Sequence, residues 1–231
     1  MPKISIHIDG GYFLKRLKSV RPDLNESPEE VARALEYTVK GHLKHLNKIH
    51  KQSTPQSMLY RIFYYDAYPY DGSTETPVSH VRLDYSKTDE AKFRNELFEI
   101  LRQKRKFALR LGKVYRESKW RLTEAASKDI KNRILLPENL EDRHFQFGLR
   151  QKGVDMRMGV DITSVTLKKQ ADIIVLLSGD SDFVPAAKLA RREGIEIILD
   201  PMWRNVSPDL YEHIDGLHSG LWKRRDRDDG E

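Results

Sequence analysis

The pattern of apolar and polar positions predicts strands that alternate with helices along most of the chain. "KISIHID" (3–9) is apolar at every second position, which predicts a first strand that ends at Asp9 in a turn at Gly10-Gly11. Later apolar runs predict further strands at 58–67, 107–115, 145–149, 172–178 and 195–199. Apolar residues spaced three or four apart predict helices over 28–49, 88–106, 155–169 and 183–193.

This alternation is typical of a parallel sheet with helices on both faces. We therefore expect an α/β fold, a Rossmann-like three-layer domain with a single parallel sheet. One domain is expected over residues 1–220, since no linker or repeat marks a second. Residues 116–143 show no clear period and are expected to be an insertion with a short helix near 123–133. The charged residues 221–231 are expected to be a disordered tail.

Composition excludes several classes of function. The chain of 231 residues has no cysteine, which excludes disulfides and thiolate chemistry and leaves no soft metal ligand. No run of eighteen apolar residues is present, and the first residues lack the apolar core of a secretory signal. We therefore expect a cytoplasmic protein without a membrane partner.

Positive charge is concentrated in one segment. The net charge is +6, yet residues 101–121 contain nine Lys or Arg against the single Glu117, a local charge of +8. This segment is either an ordinary solvated surface or, with its interspersed aromatic residues, a surface that binds nucleic acid. The second interpretation assigns RNA binding to Arg105, Arg110, Lys113, Arg116, Lys119 and Trp120.

A second basic segment lies in the predicted helix 28–49. Its His42 and His45 are three positions apart, so they are either a metal-binding pair or part of a solvated basic helix face. The solvated face is the favoured alternative, because no other ligand lies nearby in the sequence.

Three aspartates stand where predicted strands end. Asp9 follows the first strand, and Asp180 and Asp182 follow the strand 172–178. Because sites in open parallel sheets form at the carboxyl ends of the strands, the three acids can meet at one edge. Taken singly, each is more often a turn former or a helix cap, and Asp182 could cap the helix that follows. Together, their like charges would repel one another unless a cation held them.

The predicted helix 155–169 adds two more acids. At 100° per residue, Asp155 and Asp161 border opposite sides of its apolar stripe, and periodicity does not choose between them. All-oxygen ligands favour Mg²⁺ or Mn²⁺, which activate water and neutralise a phosphodiester. The acids therefore indicate phosphoryl chemistry.

Several segments together resemble the LabA-like branch of the NYN domain family, whose fold is that of the PIN nucleases. They are "IHIDGGYF", "YYDAYP", "LRLGKV", "KGVDMRMGVDI" and "LLSGDSDFVPAAKLARREGIEIIL", and the resemblance extends from about residue 3 to residue 217. It implies a metal-dependent ribonuclease site. The family motifs correspond to Asp9, Asp155, Asp180 and Asp182 as catalytic and metal-binding residues, with Asp161 as a ligand of second rank.

One position departs from the family pattern. Where the first motif usually reads D-G-x-N, this chain has Tyr12 in place of the Asn, and Tyr12 and Ser178 are the candidates for positioning the substrate.

The expected function is a Mg²⁺- or Mn²⁺-dependent endoribonuclease that uses water to cleave single-stranded or structured RNA. The first alternative, which Tyr12 favours, is an inactive NYN domain that binds RNA or a protein partner. The second alternative is a phosphatase with an Asp-x-Asp nucleophile. It is disfavoured because such enzymes have this motif after an early strand, whereas Asp180-Ser181-Asp182 lies in the last third of this chain.

Overall fold

The structure is a computed structural model that describes residues 2–50 and 55–223, without the side chains of residues 55, 56, 117 and 118. The described chain forms two compact units. The smaller comprises residues 67–95 and 112–152, and the larger comprises the remainder. Most of the predicted tail, residues 224–231, lies outside the described residues. The single domain over 1–220 and its insertion at 116–143 stay predictions.

Nine strands and eight helices are found in the described residues. The strands are β1 Ile4–Asp9, β2 Leu59–Tyr68, β3 Ser73–Glu75, β4 Arg82–Asp84, β5 Phe107–Leu122, β6 Phe145–Lys152, β7 Ile173–Leu177, β8 Glu196–Asp200 and β9 Gly216–Leu217. The helices are α1 Gly10–Val20, α2 Pro28–His50, α3 Pro55–Met58, α4 Asp89–Gln103, α5 Glu124–Lys131, α6 Val154–Leu167, α7 Val184–Arg192 and α8 Pro208–Tyr211.

The larger unit contains a parallel ladder of strands in the order β2-β1-β7-β8-β9. β1 and β7 are its central strands, and Ile4, Ile6 and Ile8 of β1 are fully buried. All five residues of β7 are buried too, as expected of a strand covered on both faces. The carboxyl ends of β1 and β7 therefore lie side by side at one edge.

Helices cover both faces of this ladder. Asp200 and Tyr65 lie in neighbouring rows of the strand register, so their side chains point to opposite faces. His42 of α2 contacts Asp200 over 2.8 Å, whereas Asp161 of α6 contacts the Tyr65 hydroxyl over 3.1 Å. α2 and α6 consequently pack on opposite faces of the sheet.

The prediction of a purely parallel sheet is wrong. β5 lies beside β2 in the larger unit and continues into the smaller unit, where it pairs antiparallel with β6. β3 and β4 form a separate antiparallel pair. The short helix predicted near 123–133 is present as α5, but it lies in an excursion that returns the chain antiparallel rather than in a crossover between parallel strands.

Most predicted elements are present with shifted ends. The helix predicted over 183–193 is α7, and Gly194 follows it with a φ of 82°, the left-handed conformation that ends helices. β5 continues to Leu122, beyond the predicted end at 115, and helix α1 was not predicted.

Helix α1 begins where the sequence predicts only a turn. Gly10 and Gly11 are poor helix formers, yet the Asp9 side chain caps the helix by accepting a hydrogen bond from the Tyr12 N–H. Gly10 is also required by packing, because a Cβ there would lie 2.6 Å from the Tyr64 hydroxyl. A tertiary contact with Tyr64 thus explains why a glycine stands at position 10.

Across residues 2–50 and 55–223, no helix combines the length and the apolar composition needed to cross a membrane.

Candidate active site

Asp9 lies at the junction of β1 and α1. Its Oδ1 accepts the hydrogen bond of the Tyr12 backbone N–H over 3.0 Å, which fixes the carboxylate at the helix start. Asp9 is therefore a helix cap through one of its two carboxylate oxygens, Oδ1. A cap of this kind orients the other oxygen without requiring any further side chain.

Asp180 and Asp182 lie in the turn between β7 and α7. Asp180 Oδ1 accepts the N–H of Asp182 over 3.0 Å, and the Asp180 N–H donates to Ser178 Oγ over 3.2 Å. Asp180, not Asp182, therefore caps the short 3₁₀ turn Ser181–Phe183. In the described chain no side chain caps α7, so Asp182 is not that helix's cap.

Asp155 lies in the first turn of α6, after Gly153, whose φ is 79°. It is at the surface, as is Asp182, and both line a groove of about 830 Å³ that runs between α6 and α7. The turn at Gly153 and the start of α6 thus bring Asp155 next to the turn that follows β7.

The electrostatics of Asp9 show which other acids are near. Its pKa is raised from 3.8 to about 6, mainly because the carboxyl is buried. The hydrogen bond from Tyr12 opposes this shift, while the charges of Asp155, Asp66 and Asp180 raise the pKa further. Asp9 therefore shares an environment with acids from three other parts of the chain.

The pKa of Asp155 is also affected by the charges of neighbouring acids. Its pKa is raised by partial burial first and then by the charges of Asp180 and Asp182. The acids of β1, of α6 and of the turn after β7 are thus linked pairwise by like-charge repulsion.

Asp66 belongs to this group and was missed by the sequence analysis. It is fully buried in β2, and the Tyr64 hydroxyl donates to its Oδ2 over 3.4 Å. Its charge acts on Asp9. Asp66 lies inside the predicted strand 58–67 and not at its end, so the strand-end position that selected Asp9 gave no signal for Asp66.

The acids fit a hard divalent cation by their chemistry. They offer only carboxylate oxygens, which suit Mg²⁺ or Mn²⁺. Within residues 2–50 and 55–223, no three His, Cys, Asp or Glu side chains already form a metal-binding group. Asp155 and Asp182 are surface side chains and have room to turn toward an ion, whereas Asp9 is held by its cap.

Tyr12 is bound at both of its ends. Its backbone N–H donates to Asp9, and its hydroxyl donates to the Pro201 carbonyl over 2.7 Å. The ring lies against Gly179, where a Cβ would come within 2.6 Å of it. Gly179 of the "SGDSD" motif thus makes room for the Tyr12 ring. Through its two hydrogen bonds, Tyr12 links the end of β1 to the end of β8.

Ser178 is fully buried, and its Oγ accepts the Asp180 N–H. In this arrangement it orients the turn that carries Asp180. Its role in positioning a substrate stays a prediction.

Asp161 takes part in a buried hydrogen-bond chain. Its Oδ2 accepts from Arg110 Nε over 2.8 Å and from the Tyr65 hydroxyl over 3.1 Å. Tyr65 in turn contacts His7 Nδ1 over 2.9 Å, and His7 Nε2 contacts Ser5 Oγ over 2.8 Å. Burial and the Arg110 charge lower the pKa of His7 to about 3, so the ring is neutral. These contacts are those of a structural, hydrogen-bonded acid.

The predicted RNA-binding residues are divided between the two units. In the larger unit, Arg105 is exposed, while Arg110 pairs with Asp161 and lies 5.1 Å from the centre of the Phe63 ring. Arg110 therefore already has an internal partner.

In the smaller unit, cations lie beside an aromatic cluster. The Arg116 guanidinium is 5.3 Å from the centre of the Phe147 ring, and the Trp120 ring is 5.1 Å from the same ring. Lys113 and Lys119 are exposed. Cations and half-exposed rings together are what stacking of unpaired bases requires.

The solvated-face interpretation is wrong for His42. This side chain is fully buried, and its Nε2 bonds Asp200 Oδ2 over 2.8 Å. His42 Nδ1 lies 3.2 Å from His218 Nδ1, within hydrogen-bonding distance. His45 stacks on His218 at a ring distance of 3.8 Å. The histidines connect α2 to the end of β8.

Comparison with known proteins gives a family for most of the chain. The family model described as the NYN domain matches residues 4–215. No curated protein matches the chain. The crystal structure of a protein of unknown function from Vibrio parahaemolyticus is similar, with 14% identity and a TM-score of 0.46, over 94% of this chain and 91% of that one.

Proposed function

Because the chain belongs to the NYN domain family, whose members are generally nuclease-like, we propose that it is a divalent-metal-dependent endoribonuclease. Asp9, Asp155, Asp180 and Asp182 are its proposed metal-binding and catalytic residues. The PIN-like character of the fold, the assignment to the LabA-like branch and a cytoplasmic location are part of this proposal.

One observation carries the proposal most strongly. Asp9 and Asp155 both have raised pKa values, and each is affected by the charge of Asp180. Acids that repel one another in the unliganded protein gain the most from a cation between them. Clustered, perturbed carboxylates at a sheet edge are also typical of functional sites.

The chain's own residues supply orientation. The Tyr12 N–H holds Asp9, and the Asp182 N–H and Ser178 hold the turn of Asp180. Asp155 and Asp182, which are surface side chains, would complete the set of carboxylates that holds the ion. A bound Mg²⁺ or Mn²⁺ would activate a water and offset the charge of the phosphodiester.

Protonation opposes this arrangement. Since the pKa of Asp9 is about 6, its carboxyl gains a proton as the pH falls through that value. A protonated carboxyl is a poor ligand for a hard cation, so we expect cleavage to fall below about pH 6 and to recover partly with more Mn²⁺.

The test is cleavage of a generic single-stranded RNA in Mn²⁺, in Mg²⁺ and in chelator. We expect cleavage only with metal, and none by Asp180→Asn. Asp89→Asn is the matched control, because the Asp89 side chain is fully exposed on α4. Cleavage that persists in chelator, or in Asp180→Asn at the wild-type rate, would contradict the proposal.

A catalytically inactive module that binds RNA is the second candidate, and Tyr12 favours it. An Asn at this position could reach Asp9 or a phosphate, whereas the Tyr12 hydroxyl is committed to Pro201. RNA binding without cleavage at any metal concentration would support this candidate, and cleavage restored by Tyr12→Asn would identify the cause.

A further inference from the structure

A tight turn with an unfavourable backbone follows β8. The Arg204 N–H donates to the Pro201 carbonyl over 3.0 Å, which closes the turn. Its two central residues, Met202 and Trp203, have φ values of 45° and 63°. This left-handed conformation favours glycine or asparagine and is unfavourable for other residues. Neither central position has the residue that the turn prefers.

Three contacts hold the turn in this conformation. Asp200 Oδ1 accepts the Met202 N–H over 2.7 Å, the Tyr12 hydroxyl donates to the Pro201 carbonyl, and Arg16 Nη2 donates to the Met202 carbonyl over 2.8 Å. Strained backbone persists where surrounding contacts over-determine it, and it is concentrated at functional sites.

The strained turn places the Trp203 side chain at the protein surface. The Met202 side chain is fully buried, whereas Trp203 remains 52% exposed. Its backbone N–H donates to Ser219 Oγ over 3.1 Å, and its indole N–H donates to the Leu221 carbonyl over 2.7 Å. The ring is thus fixed at one edge and open to solvent elsewhere, so a partner that stacks on it loses little conformational entropy to ordering.

Position and charge connect this ring to the acids. β8 is parallel to β7, so the turn lies at the edge that carries Asp180. The Tyr12 backbone N–H donates to Asp9, and the Tyr12 hydroxyl donates to Pro201 of the turn. Tyr12 alone therefore bridges Asp9 and the turn that carries Trp203. Arg204 is exposed and Arg16 half-buried, and the charges of both act on the Tyr12 hydroxyl. Positive charge therefore lies near the Tyr12 hydroxyl, which bonds the turn that carries the exposed ring.

We propose that Trp203 stacks on an unpaired base of an RNA strand while the exposed Arg204 contacts its phosphates. This deepens the proposed function, on which it rests, by assigning a base-stacking contact at the same edge of the sheet as the acids. A base in a duplex keeps its own stacking neighbours and cannot offer a free face to the indole. The strained turn holds the strand so that a neighbouring phosphodiester reaches the carboxylates.

The test is binding of a fluorescein-labelled single-stranded RNA of about 12 nucleotides, followed by anisotropy in chelator and in Ca²⁺. Trp203→Phe keeps a ring and should stay within a few-fold of wild type. Trp203→Gly removes the ring but suits the positive φ, so the turn is preserved. We expect it to weaken binding roughly 10- to 100-fold, the effect of one stacked base.

Trp222→Phe is the matched control. Trp222 is 54% exposed but packs against Tyr37 and Arg21, and we expect it to leave affinity unchanged. Wild type should also bind a blunt duplex of equal length more weakly than the single strand. Thermal melts of each variant check that the fold is intact.

The outcomes separate this inference from the nuclease proposal. Equal affinity of wild type and Trp203→Gly, absence of RNA binding by wild type, or a preference for duplex would each overturn the inference, even if metal-dependent cleavage is found. Loss of binding in Trp203→Gly would support it even if no cleavage is found, because the anisotropy measurement needs no catalysis.

Discussion

Replacing Asp9 with Asn should stabilise the metal-free protein. Asn caps a helix as well as Asp does, so the hydrogen bond from the Tyr12 N–H is kept. What the substitution removes is a charge that is buried and repelled by Asp66, Asp155 and Asp180. In chelator at neutral pH and above, the variant should therefore unfold at a higher temperature than wild type.

The magnitude follows from the pKa. The native pKa of Asp9 is about 6, compared with the ordinary 3.8 of an unfolded chain. The native state then binds the proton more tightly, so the stability contributed by Asp9 is lost as the pH rises from about 4 through about 6. At 1.4 kcal/mol per tenfold change, the loss at about pH 8 amounts to about 3 kcal/mol. Asp9→Asn recovers this energy, which corresponds to roughly 6 to 12 °C for a chain of this size.

The assay is thermal unfolding of wild type, Asp9→Asn and the control Asp89→Asn in chelator at about pH 8 and about pH 5. The advantage of Asp9→Asn should shrink to about half at the lower pH, since wild-type Asp9 is then mostly protonated. Mn²⁺ should raise the midpoint of wild type more than that of the variant. Equal or lower stability of Asp9→Asn in chelator at about pH 8 would refute the reasoning and make Asp9 a purely structural cap.

Three further predictions concern other contacts. Gly179→Ala should cost about 1 to 3 kcal/mol because its Cβ would meet the Tyr12 ring at 2.6 Å, and a double-mutant cycle with Tyr12→Asn should recover at least about 1 kcal/mol. His42→Ala leaves Asp200 buried without its ring partner, so urea unfolding should show a loss of about 3 kcal/mol or more. If the smaller unit binds RNA, Arg116→Ala should lower the salt slope of affinity by about 0.7, and an unchanged slope would return this residue to the solvated surface.

The fold was predictable where local pattern and tertiary packing agree. The alternation of Ile4, Ile6 and Ile8 and the apolar stripe of α2 both correspond to buried faces. α1 was missed because the need for Gly10 arises from Tyr64, a contact 54 residues away that local periodicity does not register. The antiparallel pairing of β5 and β6 was missed because strand order and direction depend on non-local contacts.

The site was predictable to the extent that its acids lie at the carboxyl ends of parallel strands, where sites in such sheets form. Asp9, Asp180 and Asp182 were selected by this rule, whereas Asp66 lies inside β2 and not at its end, so the rule does not select it. The turn at Trp203 could not be predicted, because a positive φ at a tryptophan contradicts local preference and is visible only in the structure.

The central position of β1 has a consequence for synthesis. This strand is synthesised before both of its neighbours in the sheet, and one of them, β7, begins only at Ile173. At roughly 5 to 20 residues per second, one edge of "ISIHI" stays unpaired for roughly 10 to 30 s. An alternating apolar segment with an open edge is prone to pair with other chains. We therefore expect the nascent chain to depend on chaperones during that interval, and slower translation before residue 173 to lower the yield of folded protein.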